Sequence, residues 1–178
     1  FKTRNGRPVT DGEGIQPDVQ VERTTYSKLT QALIRKNLIF QFANEYRSKT
    51  DSVVPPMQFD ITDTDYSTFK SFLADKDYTY TSDTEKRLES LVEQAEEENH
   101  TTLLKGQLDA IEALLAENKK NDLQIHQNEL KEILEYEIIK RYYFERGKVE
   151  ITFDDDPDWA KVKEILLDNA EYESLLVK

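Results

Sequence analysis

From Thr24 onward the apolar residues recur every three or four positions, interrupted at intervals by capping residues, and a chain patterned this way can do little except pack amphipathic helices. Leu29, Ala32 and Leu33 mark the face of a helix over about 26–36, with Thr24 or Thr25 as cap and Asn37 as its stop. Ile39, Phe42, Ala43 and Tyr46 form the next stripe, and Val53-Val54-Pro55-Pro56 then breaks the period, because each proline disfavours helix in the residue before it. Thr62 to Asp65 reads as a new start ahead of Tyr66, Phe69, Phe72 and Leu73. Ser82-Asp83-Thr84-Glu85 is the cleanest cap in the chain. Ser82 accepts from the backbone N–H of Glu85 while Glu85 reaches back, and Leu88, Leu91, Val92 and Ala95 carry the face onward.

Two more helices are expected in the centre. Leu104, Leu108, Ile111 and Leu115 define one that stops near 118–121. Leu123, Leu130, Ile133, Leu134 and Ile138 define another over about 122–146, ending at Gly147. A short polar loop between them predicts an antiparallel αα-hairpin over 102–146. Val149, Ile151 and Phe153 alternate with polar residues, which predicts a short strand or an extended segment. Asp154-Asp155-Asp156-Pro157 then prepares a helix faced by Trp159, Val162, Ile165 and Leu166, with a last helical turn over 171–177. The fold class expected is mainly α, a multi-helix domain over 24–178 that contains an αα-hairpin.

The first 23 residues follow different rules. Asn5-Gly6 and Asp11-Gly12 are tight-turn dipeptides, Ile15 and Val19-Gln20-Val21 supply short β-branched runs, and Pro17 withdraws a donor from any ladder. The segment reads as a β-hairpin and an edge strand, and equally as a flexible arm. A hairpin of two strands is marginal in water and needs a sheet that the rest of the chain does not offer.

Charge is unevenly placed. Residues 1–81 hold equal numbers of acidic and basic side chains, so the whole formal net charge of −12 falls after residue 81. An acidic surface repels phosphate backbones, so no nucleic-acid partner is expected; the charge reads as solvated helix faces or as attraction for basic partners. No apolar run approaches the roughly 20 residues that span a bilayer, so no membrane insertion is expected. Zero cysteines exclude disulfides, thiolate metal sites and a Cys nucleophile. His100 and His126 stand on separate segments without ligand spacing, and the Asp154–Asp156 run lacks the glycine turn and distal Glu of a calcium loop, so no metal and no cofactor are expected. No Ser sits in a nucleophile elbow, and Gly106 and Gly147 are the only glycines after Gly14, too few to build an oxyanion loop. No catalytic residue is assigned, and the chain by itself is expected to be inactive.

Two motifs resemble one family. The pattern N-G-R-P-V-x-D-G-x-G-I-x-P-D, carried by Gly6, Arg7, Pro8, Gly12, Gly14, Ile15, Pro17 and Asp18, resembles the segment that follows the catalytic core in tail-specific, or carboxyl-terminal processing, serine proteases. Arg141, Tyr142, Tyr143 and Gly147 resemble an R-Y-Y-x-x-x-G at the end of a long helix in the C-terminal extension of longer bacterial members. Glu13 departs from the small residue common at its position. The resemblance implies a Ser/Lys-dyad hydrolase whose dyad lies upstream of the G-I-x-P-D segment, residues 1–23 as the end of a protease domain, and residues 24–178 as a non-catalytic helical domain. It also implies partners, namely the upstream protease and PDZ domains and protein or peptide substrates, with self-association among the roles, in the bacterial periplasm or cell envelope. The other class of function open to these residues is an independent acidic adaptor that binds basic helices or peptides. The R-Y-Y cluster itself is expected to act as an aromatic clamp between the central hairpin and the last helix.

Overall fold

The computed structural model describes residues 1, 4, 17–22, 25–153 and 156–176. These fall into two compact units, one comprising residues 26–151 and the other made from residues 1–25 and 152–178. No strand occurs among the described residues.

The larger unit begins with α1 (Lys28–Arg35), capped by Ser27, whose hydroxyl accepts from the N–H of Thr30. The cap is therefore a few residues later than Thr24 or Thr25. Asn37 ends α1 in the left-handed region, φ 58°, a conformation its short amide side chain tolerates. It also starts α2 (Leu38–Lys49). A single 3-10 turn at Pro56–Gln58 occupies the proline connector. α3 (Asp63–Leu73) and α4 (Asp83–Glu97) both open on complete capping boxes, Thr62 with Asp65 and Ser82 with Glu85, as the sequence requires. α5 (Thr101–Lys119) follows a turn in which Asn99 has φ 59°. α6 (Asp122–Ile125) is a single turn, and α7 (Gln127–Thr152) is the longest helix.

Three expectations are corrected here. The αα-hairpin is formed by α4 with α5, not by α5 with α7. Instead α7 leaves α5 and runs through the core. The strand expected at 149–153 is helical to Thr152, since Ile151 packs on the core and Arg146–Glu150 and Glu145–Lys148 make ion pairs at helical spacing; three alternating residues cannot outweigh that. The helix also does not end at Gly147. It kinks at Phe144, φ 55° and ψ −147°, and continues.

The core lies among α1, α2, α3 and α7. Leu29, Leu33, Ile39, Phe42, Tyr66, Phe69, Leu73, Leu130, Leu134, Ile138 and Ile139 are all buried. Phe42 meets Phe69 edge-on at 5.0 Å and Phe72 at 5.6 Å, the tilted geometry that aromatic quadrupoles favour. By contrast, α4 and α5 together bury only Ala95 and Leu108.

In the smaller unit, Asp156 caps α8 (Pro157–Leu167) by accepting from the N–H groups of Asp158 and Trp159, with Pro157 at the first turn, as expected. α9 (Asn169–Leu176) follows after Asp168, whose carboxylate accepts from Ala170 and Glu171. Trp159 packs against Phe153 at 4.4 Å. The turns and hairpin expected at 5–16 lie outside the described residues. Val19–Val21, expected at a sheet edge, form no ladder; Gln20, Val21 and Glu22 instead line an open groove with Pro157, Ala160, Lys161 and Glu164 of α8.

Candidate functional site

The residues singled out at 141–147 meet at the far end of α7, and what they do follows from each atom's partner. The Arg141 guanidinium makes four hydrogen bonds. Its Nε donates to Asn44 Oδ1 at 2.7 Å, Nη2 to the Phe40 carbonyl at 2.9 Å, and Nη1 to the carbonyl and carboxylate of Glu137, while its plane lies 4.6 Å from the Phe40 ring centroid. Tyr142 donates its hydroxyl to the Thr50 carbonyl at 2.6 Å, and Tyr143 donates to the Val53 carbonyl at 3.0 Å. Arg47 covers the Tyr142 ring at 4.6 Å. The chain leaving α2 has no helical partners for its last carbonyls, and these two phenols supply donors. The clamp therefore ties α7 to α2 and to the 50–53 connector, not to the last helix.

Gly147 belongs to the same device. A Cβ placed on it would lie 2.2 Å from the Cβ of Tyr143 and 3.0 Å from Cγ2 of Ile139, because the kink at Phe144 folds the following turn back on the helix. Only a residue without a side chain fits there. Of the N-terminal motif, Pro17 and Asp18 are described and are exposed; Gly6, Arg7, Pro8, Gly12, Gly14 and Ile15 lie outside the described residues.

Further along α7, side chains absent from the sequence reading perform the same task. Glu129 accepts the backbone N–H of Ser27 at 2.8 Å, Glu135 accepts that of Ile61 at 2.7 Å, and Lys131 pairs with Asp63 at 2.8 Å. The Lys131 hydrogen bond and charge hold the Asp63 carboxyl below its ordinary range. Tyr66 donates to the carbonyl of Leu123, and burial, with the nearby Tyr78, pushes its phenol up to about 12. No sequence signal marks Glu129 or Glu135 among so many acids; only the position of the incoming N–H does.

A second polar cluster sits at the base of the α4–α5 hairpin. Lys119 donates to the Tyr80 carbonyl at 2.6 Å and to both Glu85 oxygens at 2.8 and 2.9 Å, and its ammonium is 4.3 Å from the Tyr80 ring centroid. Burial pushes the Glu85 carboxyl up, but the Lys119 and Ser82 hydrogen bonds outweigh it and leave the group below its ordinary value. Asp122 accepts the Tyr80 hydroxyl, and burial raises its carboxyl above the usual range.

His100 and His126 lie 3.8 and 3.7 Å from single carboxylates, Glu98 and Glu129, and no group of three or more metal-ligating side chains is present among the described residues. No helix among them is long and apolar enough to cross a membrane. The clamp's donors all point at carbonyl and carboxylate oxygens, so the arrangement positions helices. It defines a helical domain organised around one spine helix. Residues 29–166 match the family model for the C-terminal helical domain of probable PDZ-proteases, and the chain belongs to that family. No curated protein and no solved structure matches it.

Proposed function

We propose that this chain is the non-catalytic C-terminal helical region of a tail-specific, carboxyl-terminal processing serine peptidase that uses a Ser/Lys dyad. On this reading it scaffolds the protease and PDZ domains of its parent and assists in handling protein or peptide substrates, in the bacterial periplasm or cell envelope. One observation carries the reading: the G-I-x-P-D element at 14–18 stands directly ahead of a helical stretch, 29–166, of the PDZ-protease family. The R-Y-Y-x-x-x-G element at 141–147 supports it, since its Arg and both Tyr spend their polar groups on holding helices together.

The test is hydrolysis of casein by the purified chain and by the same chain fused behind a tail-specific protease core. The chain alone is expected to show no turnover, and the fusion to cleave and to outlast the bare core on heating. Turnover by the chain alone, abolished by one Ser→Ala change within 24–178, overturns the proposal. So does a fusion indistinguishable from the core, in which case the acidic faces of an independent adaptor become the better account.

A further inference from the structure

The bend in α7 falls on a residue unsuited to it. Sharp kinks occur at proline or glycine, yet Phe144 takes φ 55° and ψ −147°, at the edge of a region that only glycine enters without strain. Burial of the ring does not offset that strain, because Phe144 is 73% exposed. Gly147, three residues further on, provides close packing and does not make the bend.

Beyond the bend, residues 145–152 fold back along the helix they leave. Gly147 lies against Tyr143 and Ile139, and the Lys148 ammonium is 5.8 Å from the Tyr136 ring centroid. In an unbroken helix Gly147 would stand about 12 Å along the axis from Ile139, and Lys148 about 18 Å from Tyr136. Ile151, at the end of this arm, packs on the core. The ion pairs Arg146–Glu150 and Glu145–Lys148 are internal to the arm and survive a rotation at Phe144. The arm is therefore a helical lever on one hinge residue, held down against the strain at that residue.

We propose that Phe144 is a two-state hinge, with the arm 145–152 alternating between this docked position and a straight continuation of α7. Straightening returns Phe144 to helical dihedrals and releases the strain, and it withdraws Ile151 from the core and Gly147 from Ile139. It also brings Phe144, Gly147 and Ile151 onto one side of the helix, at spacings of three and four residues. The two states thus exchange backbone strain for apolar burial. A glycine at 144 would free the docked state of strain, which is why the phenylalanine points to a hinge and not to a fixed corner. Ile151 is the last residue of the larger unit, so the arm's two positions give the chain that follows two points of departure. The hinge is a property of α7 alone and does not depend on the chemistry of any parent enzyme.

The chain has no cysteine, so two nitroxide labels can be placed cleanly in the full chain. With E132C and V149C labelled at exposed sites, electron paramagnetic resonance should give two distances. The short one belongs to the docked arm, and the long one approaches the roughly 26 Å that straight helix spans from 132 to 149. Phe144→Gly and Phe144→Ala should then move the populations in opposite directions. Glycine relaxes the bend and disfavours helix, so the short distance should dominate and the thermal midpoint should rise. Alanine keeps the strain and favours helix, so the long distance should grow. The long-to-short ratio should differ at least about fivefold between the two variants, the factor by which alanine exceeds glycine in helix propensity before strain is counted. Gly147→Ala, whose methyl meets Tyr143, should empty the short population. A single short distance with Phe144 in place, unchanged by Phe144→Ala, overturns the proposal and makes the bend a fixed corner. A longer distance on Phe144→Gly overturns it as well. Circular dichroism of each variant confirms that the helices remain.

Discussion

The bundle around α7 and the α4–α5 hairpin are built from similar helices with similar capping, yet they are held by different means. In the bundle, α7 buries Leu130, Leu134, Ile138 and Ile139 completely and uses Glu129, Glu135, Arg141, Tyr142 and Tyr143 to bond the backbone ends of its neighbours. In the hairpin, two long helices bury two side chains and depend on a polar cluster at one end, Glu85, Lys119, Tyr80 and Asp122. The difference shows that helix propensity and capping decide that a helix forms, while burial decides how much it contributes. It also separates tasks, with a rigid spine in one region and an underfilled surface in the other.

That contrast can be broken most directly by truncating one leucine in each region. Leu134→Ala opens a cavity at a fully buried site and should cost about 2–5 kcal/mol, whereas Leu108→Ala, near an open edge that can collapse, should cost about 2 kcal/mol or less. Denaturant midpoints at constant slope give both values. Equal losses would mean that the hairpin is as well packed as the spine.

Gly147→Ala sharpens the account of the clamp. Its new methyl meets the Tyr143 Cβ, which is fixed to the backbone, so relief requires moving the kink; a loss of about 1–3 kcal/mol is expected, with the Tyr143 to Val53 hydrogen bond weakened. Thermal melts alongside protection of the 50–54 amides against exchange check it. A neutral result would show that the kink relaxes freely.

The smallest effect should come from the base of the hairpin and should depend on pH. Burial raises the Asp122 pKa above its unfolded value, so its protonated form favours folding at low pH and that contribution is lost as pH rises through the folded pKa. Asp122→Asn keeps an acceptor for Tyr80 without the charge. It should therefore equal or exceed the wild-type melting temperature at pH 7, and the gap should close on acidification toward the ordinary carboxylate range. A gap that widens in acid would show that the carboxylate, not its protonated form, is the favoured partner of Tyr80.

Much of this fold was legible in the chain because its signals are local. The Ser82–Glu85 and Thr62–Asp65 boxes, the Asn37 stop and the Asp156-Pro157 start each need only a few consecutive residues, and each forms where expected. The apolar stripes placed Leu29, Phe42, Phe69, Leu130 and Leu134 correctly in the interior. The motif residues Arg141, Tyr142, Tyr143 and Gly147 could be picked out, but their partners could not. The tertiary structure alone decided that α5 turns back on α4 and not on α7, that 149–152 remains helical, and that the clamp grips the connector after α2. The physical reason is one of range: a cap is settled within one turn of helix, whereas the choice of packing partner and the destination of each orphaned carbonyl or N–H depend on residues as many as 102 positions away, as between Ser27 and Glu129.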